Sequence, residues 1–333
     1  MLKLVRYAAA LVFIAGALTV VRAQEDEKVT ISANLVTVNV SVTDARGKYV
    51  QGLDGGQFEV FDEGVRQRIA HFSAGDAPFS IGVVYDMHPT TPERAAAALG
   101  ALKRFAGGLR VEDDFFLLVF NERASAALEF VPTAAQIGEH LAFVPPREPS
   151  SLYDAVYLAA ERLRTRPRAK KALLVISDGI DHGSRHSFGE LRRRVAEFDV
   201  QLYGIGIDES NNMAQAGEGR WMFEDLTRRI GGRTSTGAVD AALGQAALGE
   251  VARASGGASY SPQTENEREL FGICTRIASE LRQQYSVGFY PAGVSKAARP
   301  HKIRIRVITP GAAGRLRLSY REAYRPHERN EED

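Results

Sequence analysis

The chain reads Ser80-Ile81-Gly82-Val83-Val84-Tyr85-Asp86-Met87-His88-Pro89-Thr90 where an apolar segment gives way to polar side chains. The apolar half predicts a buried strand that ends on Asp86, and a helix pattern follows from Pro92. A second short apolar segment, 172–177, ends on Asp178-Gly179 in the same way. Because ligands of open α/β sheets bind outside the carboxyl ends of the strands, we expect Asp86 and Asp178 to lie together above a parallel sheet.

Short apolar strands alternate with helix patterns between Ala77 and Glu280. Such strands are typical of a parallel sheet that is covered by helices on both faces. The sequence therefore predicts a doubly wound, mostly parallel α/β domain. We expect its strands at 80–86, 114–120, 124–130, 171–177, 200–207 and 258–261, and its helices at 92–107, 134–143, 151–165, 187–199, 240–254 and 265–283.

The segments on either side of this domain alternate apolar and polar residues, as half-buried antiparallel strands do. The clearest alternation covers Val36 to Val42. We expect the N-terminal and C-terminal strands to form one small β-sandwich into which the α/β domain is inserted, with the two C-terminal strands paired to each other. The further strands are expected at 58–61, 65–72, 302–308 and 314–320.

A basic start and a short apolar run precede the first predicted strand. Lys3 and Arg6 come before apolar residues 8–21, and Ala23 supplies a small residue for cleavage. The run is shorter than the roughly 20 residues that a membrane span needs. We therefore expect a signal peptide, a periplasmic or extracellular protein and no stable membrane span after cleavage. The expected divisions are a signal peptide at 1–23, an N-terminal β module at 24–76, the α/β domain at 77–282, C-terminal β strands that pair with the N-terminal module at 283–325, and a polar tail at 326–333.

The net charge and the single cysteine argue against nucleic-acid binding and against a reactive thiol. The formal net charge of +1 over 333 residues gives no electrostatic reason to expect nucleic-acid binding. Basic residues 302, 304 and 306 alternate along one strand, but no aromatic residue interleaves with them there, so we predict a solvated sheet face. Lys170, Lys171 and the arginines at 162–168 are expected as a cationic group at a helix C-terminus. Cys274, the single cysteine, lies in an apolar helix pattern and is expected to be a buried, unreactive thiol.

The two strand ends resemble the von Willebrand factor A domain, whose family builds a metal ion-dependent adhesion site from three motifs. The first, Asp-x-Ser-x-Ser, stands here as 86–90 with His88 and Thr90 in place of the serines. Ser150 falls where the family has a Thr, and Ser177-Asp178-Gly179 matches the third motif. Residues 42–69 and 283–291 further resemble a family of exported bacterial proteins related to this domain and well represented in acidobacteria.

The resemblance implies a Rossmann-like fold and a degenerate form of the metal site. Mg²⁺ or Mn²⁺ would be held by Asp86, Thr90, Ser150 and Asp178, and an acidic side chain of a partner protein would complete the coordination. His88 departs from this pattern, because imidazole suits zinc, nickel or copper better than a hard cation. An insertion at 208–239, which carries Trp221, is expected beside the top of the sheet.

We therefore expect a protein-binding module rather than an enzyme, with partner contacts from His88, Ser151, Asp181 and His182. Two alternatives stay open. A metal-dependent envelope hydrolase would use Asp86, Asp178 and a histidine on a metal-bound water. A structural component would keep the fold with a dead metal site. Neither a Gly-x-Ser-x-Gly elbow, a phosphate loop nor a His-Glu-x-x-His motif is present in the sequence.

Overall fold

A computed structural model describes residues 35–86, 92–120, 124–129, 151–181, 183–207, 237–264, 266–292, 299–308 and 316–325. The predicted signal peptide, the helix at 134–143, Trp221 with most of the insertion, and the polar tail lie outside these residues. The strands are β1 (Val36–Thr43), β2 (Phe58–Asp62), β3 (Val65–Gln67), β4 (Ile69–Ser73), β5 (Phe79–Asp86), β6 (Asp114–Phe120), β7 (Ala124–Glu129), β8 (Lys170–Ser177), β9 (Gln201–Gly206), β10 (Ser259–Tyr260), β11 (Tyr285–Phe289), β12 (His301–Val307), β13 (Arg317–Ser319) and β14 (Ala323–Tyr324). The helices are α1 (Pro92–Gly107), α2 (Leu152–Arg164), α3 (Phe188–Glu197), α4 (Gly237–Ala254) and α5 (Glu267–Gln283).

The α/β domain is built on one six-stranded sheet in the order β10-β9-β8-β5-β6-β7. Five strands are parallel, and β7 runs antiparallel to β6 at the edge. Strand β5 lies near the centre, and the chain winds outward from it in both directions, so the predicted doubly wound fold is confirmed.

Successive side chains of the central strand β5 point to opposite faces of the sheet, so they pack into two separate cores. Ile81, Val83 and Tyr85 pack in one core with α1 and α5, whereas Val84 packs in the other with α2, α3 and α4. Cys274 is buried in the first core, as predicted, and desolvation raises the pKa of its thiol to about 12. Among the described helices, none combines the length and apolar character that a membrane crossing requires.

The β-sandwich has two four-stranded sheets in the orders β13-β1-β11-β4 and β14-β12-β2-β3. N-terminal and C-terminal strands pair with each other in both sheets, because β11 lies between β1 and β4, and β12 pairs with β2. Val38, Val60, Val287 and Ile305 share one core between the sheets. The predicted sandwich of N- and C-terminal strands is therefore present.

Two details of the predicted sandwich are wrong. The expected strand 65–72 is divided at Arg68 into β3 and β4, which belong to different sheets; the crossing lets Phe72 pack on Phe58. The two C-terminal strands do not pair with each other, since β13 pairs with β1 in the opposite sheet. From that sheet Leu318 packs against the sandwich core.

Lys170, expected as part of a cationic group at a helix C-terminus, is fully buried. It is the first residue of β8, and its ammonium group donates to the Arg282 carbonyl oxygen (3.4 Å). Desolvation lowers the pKa of Lys170 to about 8. A helix C-terminus precedes Lys170 in the sequence, but the chain turns inward at residue 170 to begin the sheet.

A buried carboxyl group lies where α5 passes directly into β11. Glu280 is 8% exposed and accepts a hydrogen bond from the Ser41 hydroxyl of β1 (2.9 Å), with the hydroxyls of Tyr49 and Tyr203 beside it. Burial raises the pKa of Glu280 above its ordinary 4.5, although these polar neighbours oppose the shift. The side chain joins the α/β domain to the sandwich at an electrostatic cost.

Glu280→Gln is expected to raise the free energy of unfolding by about 1–2 kcal/mol near pH 8 and to leave it almost unchanged near pH 4. The folded protein binds the Glu280 proton more tightly than the unfolded chain does. The stability from this group is therefore complete below about pH 4.5 and is lost as the pH rises through the raised pKa. Urea unfolding at both pH values measures the difference. Glu267→Gln on the same helix, where the side chain is 45% exposed, is the control and should show no such gain.

Candidate functional site

Two aspartates from distant parts of the chain meet at the carboxyl end of the parallel sheet. Asp86 ends β5 and is 1% exposed, and Asp178 follows the neighbouring strand β8 and is 8% exposed. The fully buried Ser177 hydroxyl donates to Asp86 Oδ2 (2.8 Å) and lies 3.5 Å from Asp178 Oδ1. The two carboxylates thus lie on either side of one hydroxyl group.

The turn after β8 is fixed by its own backbone and by helix α4. Gly179 has a φ of +85°, a conformation that favours glycine, and the Ile180 N–H donates to Asp178 Oδ1 (2.9 Å). Gln245 of α4 donates from Nε2 to the Ser177 carbonyl oxygen (2.7 Å). Gly244 lies so close to Gly179 that neither position has room for a β-carbon. The helix backbone therefore holds the Asp178 turn in place.

The loop that follows this turn is fastened to the N-terminus of α2. Asp181 Oδ1 accepts hydrogen bonds from the Tyr153 N–H (3.0 Å) and from the Ser184 hydroxyl (2.5 Å). The Ser184 oxygen in turn accepts from the Asp154 N–H (3.0 Å). These bonds satisfy backbone donors that a helix N-terminus otherwise leaves unpaired. Asp181 was predicted as a partner contact, and its carboxylate here braces the loop; Ser151, beside the same helix start, is buried.

Asp154 of α2 accepts hydrogen bonds from the same loop. It accepts from the backbone N–H groups of Arg185 (3.1 Å) and His186 (3.0 Å), and the His186 Nδ1 lies 2.6 Å from its Oδ1. Burial raises the pKa of Asp154, but the hydrogen bonds from Arg185 and His186 outweigh it, so the pKa lies below its ordinary value. The His186 ring stacks on Tyr157, with centroids 4.1 Å apart. The loop is thus attached to the helix by hydrogen bonds and by one ring stack.

The structure brings together part of the predicted site. Asp86 and Asp178 meet, and Ser151 and Asp181 lie at the start of α2 and in the loop bonded to it. The bridging role of Ser177 and the Asp154–His186 contact were not predicted from the sequence. Ser177 directly precedes Asp178-Gly179 in the sequence, but its contact with Asp86 depends on strand pairing across 91 residues. The other predicted residues lie outside the described part of the chain: Thr90, Ser150, His88 and His182.

The donors that meet here are oxygens, which are the ligands that Mg²⁺ and Mn²⁺ favour. Two carboxylates with a hydroxyl between them supply charge and hydrogen bonding for such an ion. Within the described ranges, no group of three or more histidine, cysteine, aspartate or glutamate side chains is arranged to hold a metal. Asp86, Asp178 and Ser177 supply oxygen donors of the type that such an ion takes, and they are only part of a full ligand set.

Searches against protein-family models and against curated proteins found no match. Several solved structures are similar. An aerotolerance-related membrane protein from Bacteroides fragilis aligns at 16% identity and a TM-score of 0.41, over 61% of this chain and 98% of its own. A von Willebrand factor type A protein from Catenulispora acidiphila aligns at 10% identity and a TM-score of 0.45, over 87% of this chain and 74% of its own. The pilus adhesin SpaC from Lactobacillus rhamnosus GG aligns at 8% identity and a TM-score of 0.45, over 85% of this chain and 49% of its own. Similarities this remote carry no information on activity or partner, and the fold assignment comes from the strand order of the sheet.

Proposed function

We propose that this chain is a secreted or periplasmic protein-binding module of the adhesion type, which docks its partner on the top face of the α/β domain. The top face is the edge where β5 and β8 end. The observation that supports this proposal is the convergence of two buried carboxylates, Asp86 and Asp178, around the Ser177 hydroxyl. Residues 178–181 and 184–186 beside them are held by hydrogen bonds to the turn and to α2, so they give a partner a preformed surface, which lowers the entropic cost of binding.

A divalent cation is part of the proposal. Asp86 would ligate Mg²⁺ or Mn²⁺ directly, Thr90 and Ser150 would contribute hydroxyls, and Asp178 would hold a coordinated water. Because Mg²⁺ retains waters when few carboxylates bind it, the affinity is expected to be weak. An acidic side chain of the partner then exchanges for one water. The chain's own residues orient this exchange, since Ser177 and the N–H of Ile180 fix the two carboxylates.

Titration calorimetry with Mg²⁺, Mn²⁺ and Zn²⁺ tests the proposal. Asp86→Asn keeps the shape of the side chain and removes its charge, so Mg²⁺ affinity is expected to fall at least about tenfold. Asp114→Asn is the matched control, because Asp114 starts the neighbouring strand β6 at the opposite end of the sheet and accepts from Ser80 (2.8 Å). Its Mg²⁺ affinity should equal that of the unmodified chain.

Other outcomes decide between the alternatives. Tight Zn²⁺ binding that is lost in His88→Ala favours the metal-dependent hydrolase, since imidazole is a zinc ligand. Absence of binding for all three ions, in a chain that unfolds cooperatively, favours the structural component. A partner captured from an envelope fraction supports docking on the top face if its retention needs both Mg²⁺ and Asp86.

A further inference from the structure

We propose that the outer face of sheet β14-β12-β2-β3 is a second interaction surface, which binds an extended acidic segment of a partner protein. We name it the arginine face and define it by Phe61, Arg66, Lys302, Arg304 and Arg306. It belongs to the β-sandwich and does not depend on the proposed top-face function, so each can fail without the other.

Strand register places these side chains together. In β12, Ile303 and Ile305 are buried, whereas Lys302, Arg304 and Arg306 are exposed. Arg304 lies opposite Phe61 of β2, and Phe61 lies opposite Arg66 of β3. Residues opposite each other in an antiparallel pair project from the same face. One cross-strand row thus runs Arg304, Phe61, Arg66.

This face was predicted to be merely solvated because no aromatic residue interleaves with its basic residues along the strand, and Phe61 shows that this reason was wrong. An aromatic residue does interleave with the basic residues, but it comes from β2, more than 200 positions earlier in the chain. The guanidinium carbon of Arg304 lies 4.8 Å from the centroid of the Phe61 ring, and that of Arg306 lies 5.3 Å away. Cation–π contacts at these distances hold both side chains over one ring.

Arg304 and Arg306 differ from nearby arginines in their ion pairing. Arg66 pairs with Glu59 (3.1 Å), and Arg299 pairs with Glu63 (3.7 Å). Over the part of the chain that the structure describes, no carboxylate lies within 4.0 Å of the Arg304 or Arg306 guanidinium. Glu59 lies opposite Arg306 in the register and yet pairs with Arg66. The two guanidinium groups are therefore stacked on Phe61, and among the described residues no carboxylate occupies their N–H edges.

The spacing of the cations fits an extended acidic peptide. Alternate residues of a strand are about 6.8 Å apart, so Lys302, Arg304 and Arg306 form a row with that repeat. Carboxylates at alternate positions of an extended peptide have the same repeat, and guanidinium groups bind carboxylates in bidentate geometry. A nucleic-acid base needs an open aromatic face for stacking, and here two guanidinium groups occupy the Phe61 ring.

Fluorescence anisotropy with the full chain tests this proposal. The probe is a labelled peptide of about twelve residues that alternates Glu with Thr. Arg304→Gln with Arg306→Gln is expected to weaken its binding about tenfold at low salt. Phe61→Leu keeps every charge and is expected to weaken binding about threefold, because the guanidinium groups are no longer held over a ring. Circular dichroism and thermal unfolding check that each variant folds.

Arg192→Gln with Arg193→Gln on α3 is the matched control, since it removes the same charge from exposed positions outside the arginine face. An equal loss of affinity in both double variants would overturn the proposal, because net charge alone would then explain binding. Failure of the peptide to bind the unmodified chain at low salt would also overturn it. So would tighter, Arg304-dependent binding of a single-stranded oligonucleotide, which would assign the face to another class of partner.

Discussion

Gly244→Ala is expected to lower the free energy of unfolding by about 3 kcal/mol and to displace the turn that carries Asp178. A β-carbon at residue 244 would lie 2.0 Å from the Gly179 carbonyl oxygen and 2.3 Å from its carbonyl carbon. Both are backbone atoms of a turn that Ile180 and Ser177 hold in place, so neither yields as the end of a flexible side chain would. Helix α4 has to shift, and the hydrogen bond from Gln245 to the Ser177 carbonyl oxygen is then lost.

Gly249→Ala on the same helix is the control for this change. Its β-carbon would meet nothing closer than 3.6 Å, so alanine adds helix propensity there without a clash. The two variants are expected to change stability in opposite directions, with Gly249→Ala gaining about 0.5–1 kcal/mol. Urea unfolding measures both, and calorimetry should show weaker Mg²⁺ binding for Gly244→Ala alone. Equal stability of the two variants would mean that the contact between α4 and the turn is not rigid.

Arg282→Met is expected to lower the free energy of unfolding by about 3–4 kcal/mol, because it leaves the buried Asp113 carboxylate without its cation. The Arg282 guanidinium binds the Asp113 carboxylate through two nitrogens, and the Asp113 side chain is fully buried. The same guanidinium lies over the Phe79 ring, 4.8 Å from its centroid. After the change, the N–H groups of Phe79 (3.3 Å) and Arg110 (2.9 Å) still donate to Asp113, but its negative charge is no longer neutralised.

Two comparisons separate the buried charge from other effects of this change. Adding Asp113→Asn to Arg282→Met removes the uncompensated charge, and we expect the double variant to be about 1–2 kcal/mol more stable than Arg282→Met alone. Arg268→Met removes an exposed arginine from the same helix and should change stability by less than about 0.5 kcal/mol. Denaturant unfolding at neutral pH measures all three. A double variant no more stable than Arg282→Met would show that packing of the long side chain, rather than its charge, accounts for the loss.

Local sequence patterns were enough to predict most of the α/β domain. The predicted helix 92–107 and strand 114–120 coincide with α1 and β6, and the ends of the other described elements differ by a few residues. Each of these elements has a short-range cause, such as the proline at the start of α1 or the apolar run of β6. The capping box of Ser187 and Glu190 that begins α3 is likewise local.

Predictions that depended on pairing between distant strands were less complete. Asp86 and Asp178 were expected to converge because parallel strands end at one edge of a sheet, and they do. The pairing of β13 with β1, rather than with β12, was not foreseen, because it joins strands more than 270 positions apart. The position of Phe61 beside Arg304 was not predicted either, because the two residues lie on different strands, more than 200 positions apart in the chain.

The sequence of this chain was sufficient for its doubly wound sheet, its sandwich of terminal strands and the two aspartates at the sheet edge, because periodicity and strand ends are properties of neighbouring residues. The tertiary structure decided which side chains are buried away from water and which backbone segments are in contact. Lys170 and Glu280 are buried by segments that are distant in the sequence. Gly244 likewise contacts Gly179, which lies more than 60 positions earlier in the chain. The burial of a side chain depends on all of its contacts with distant segments, and a short stretch of sequence does not show which segments those are.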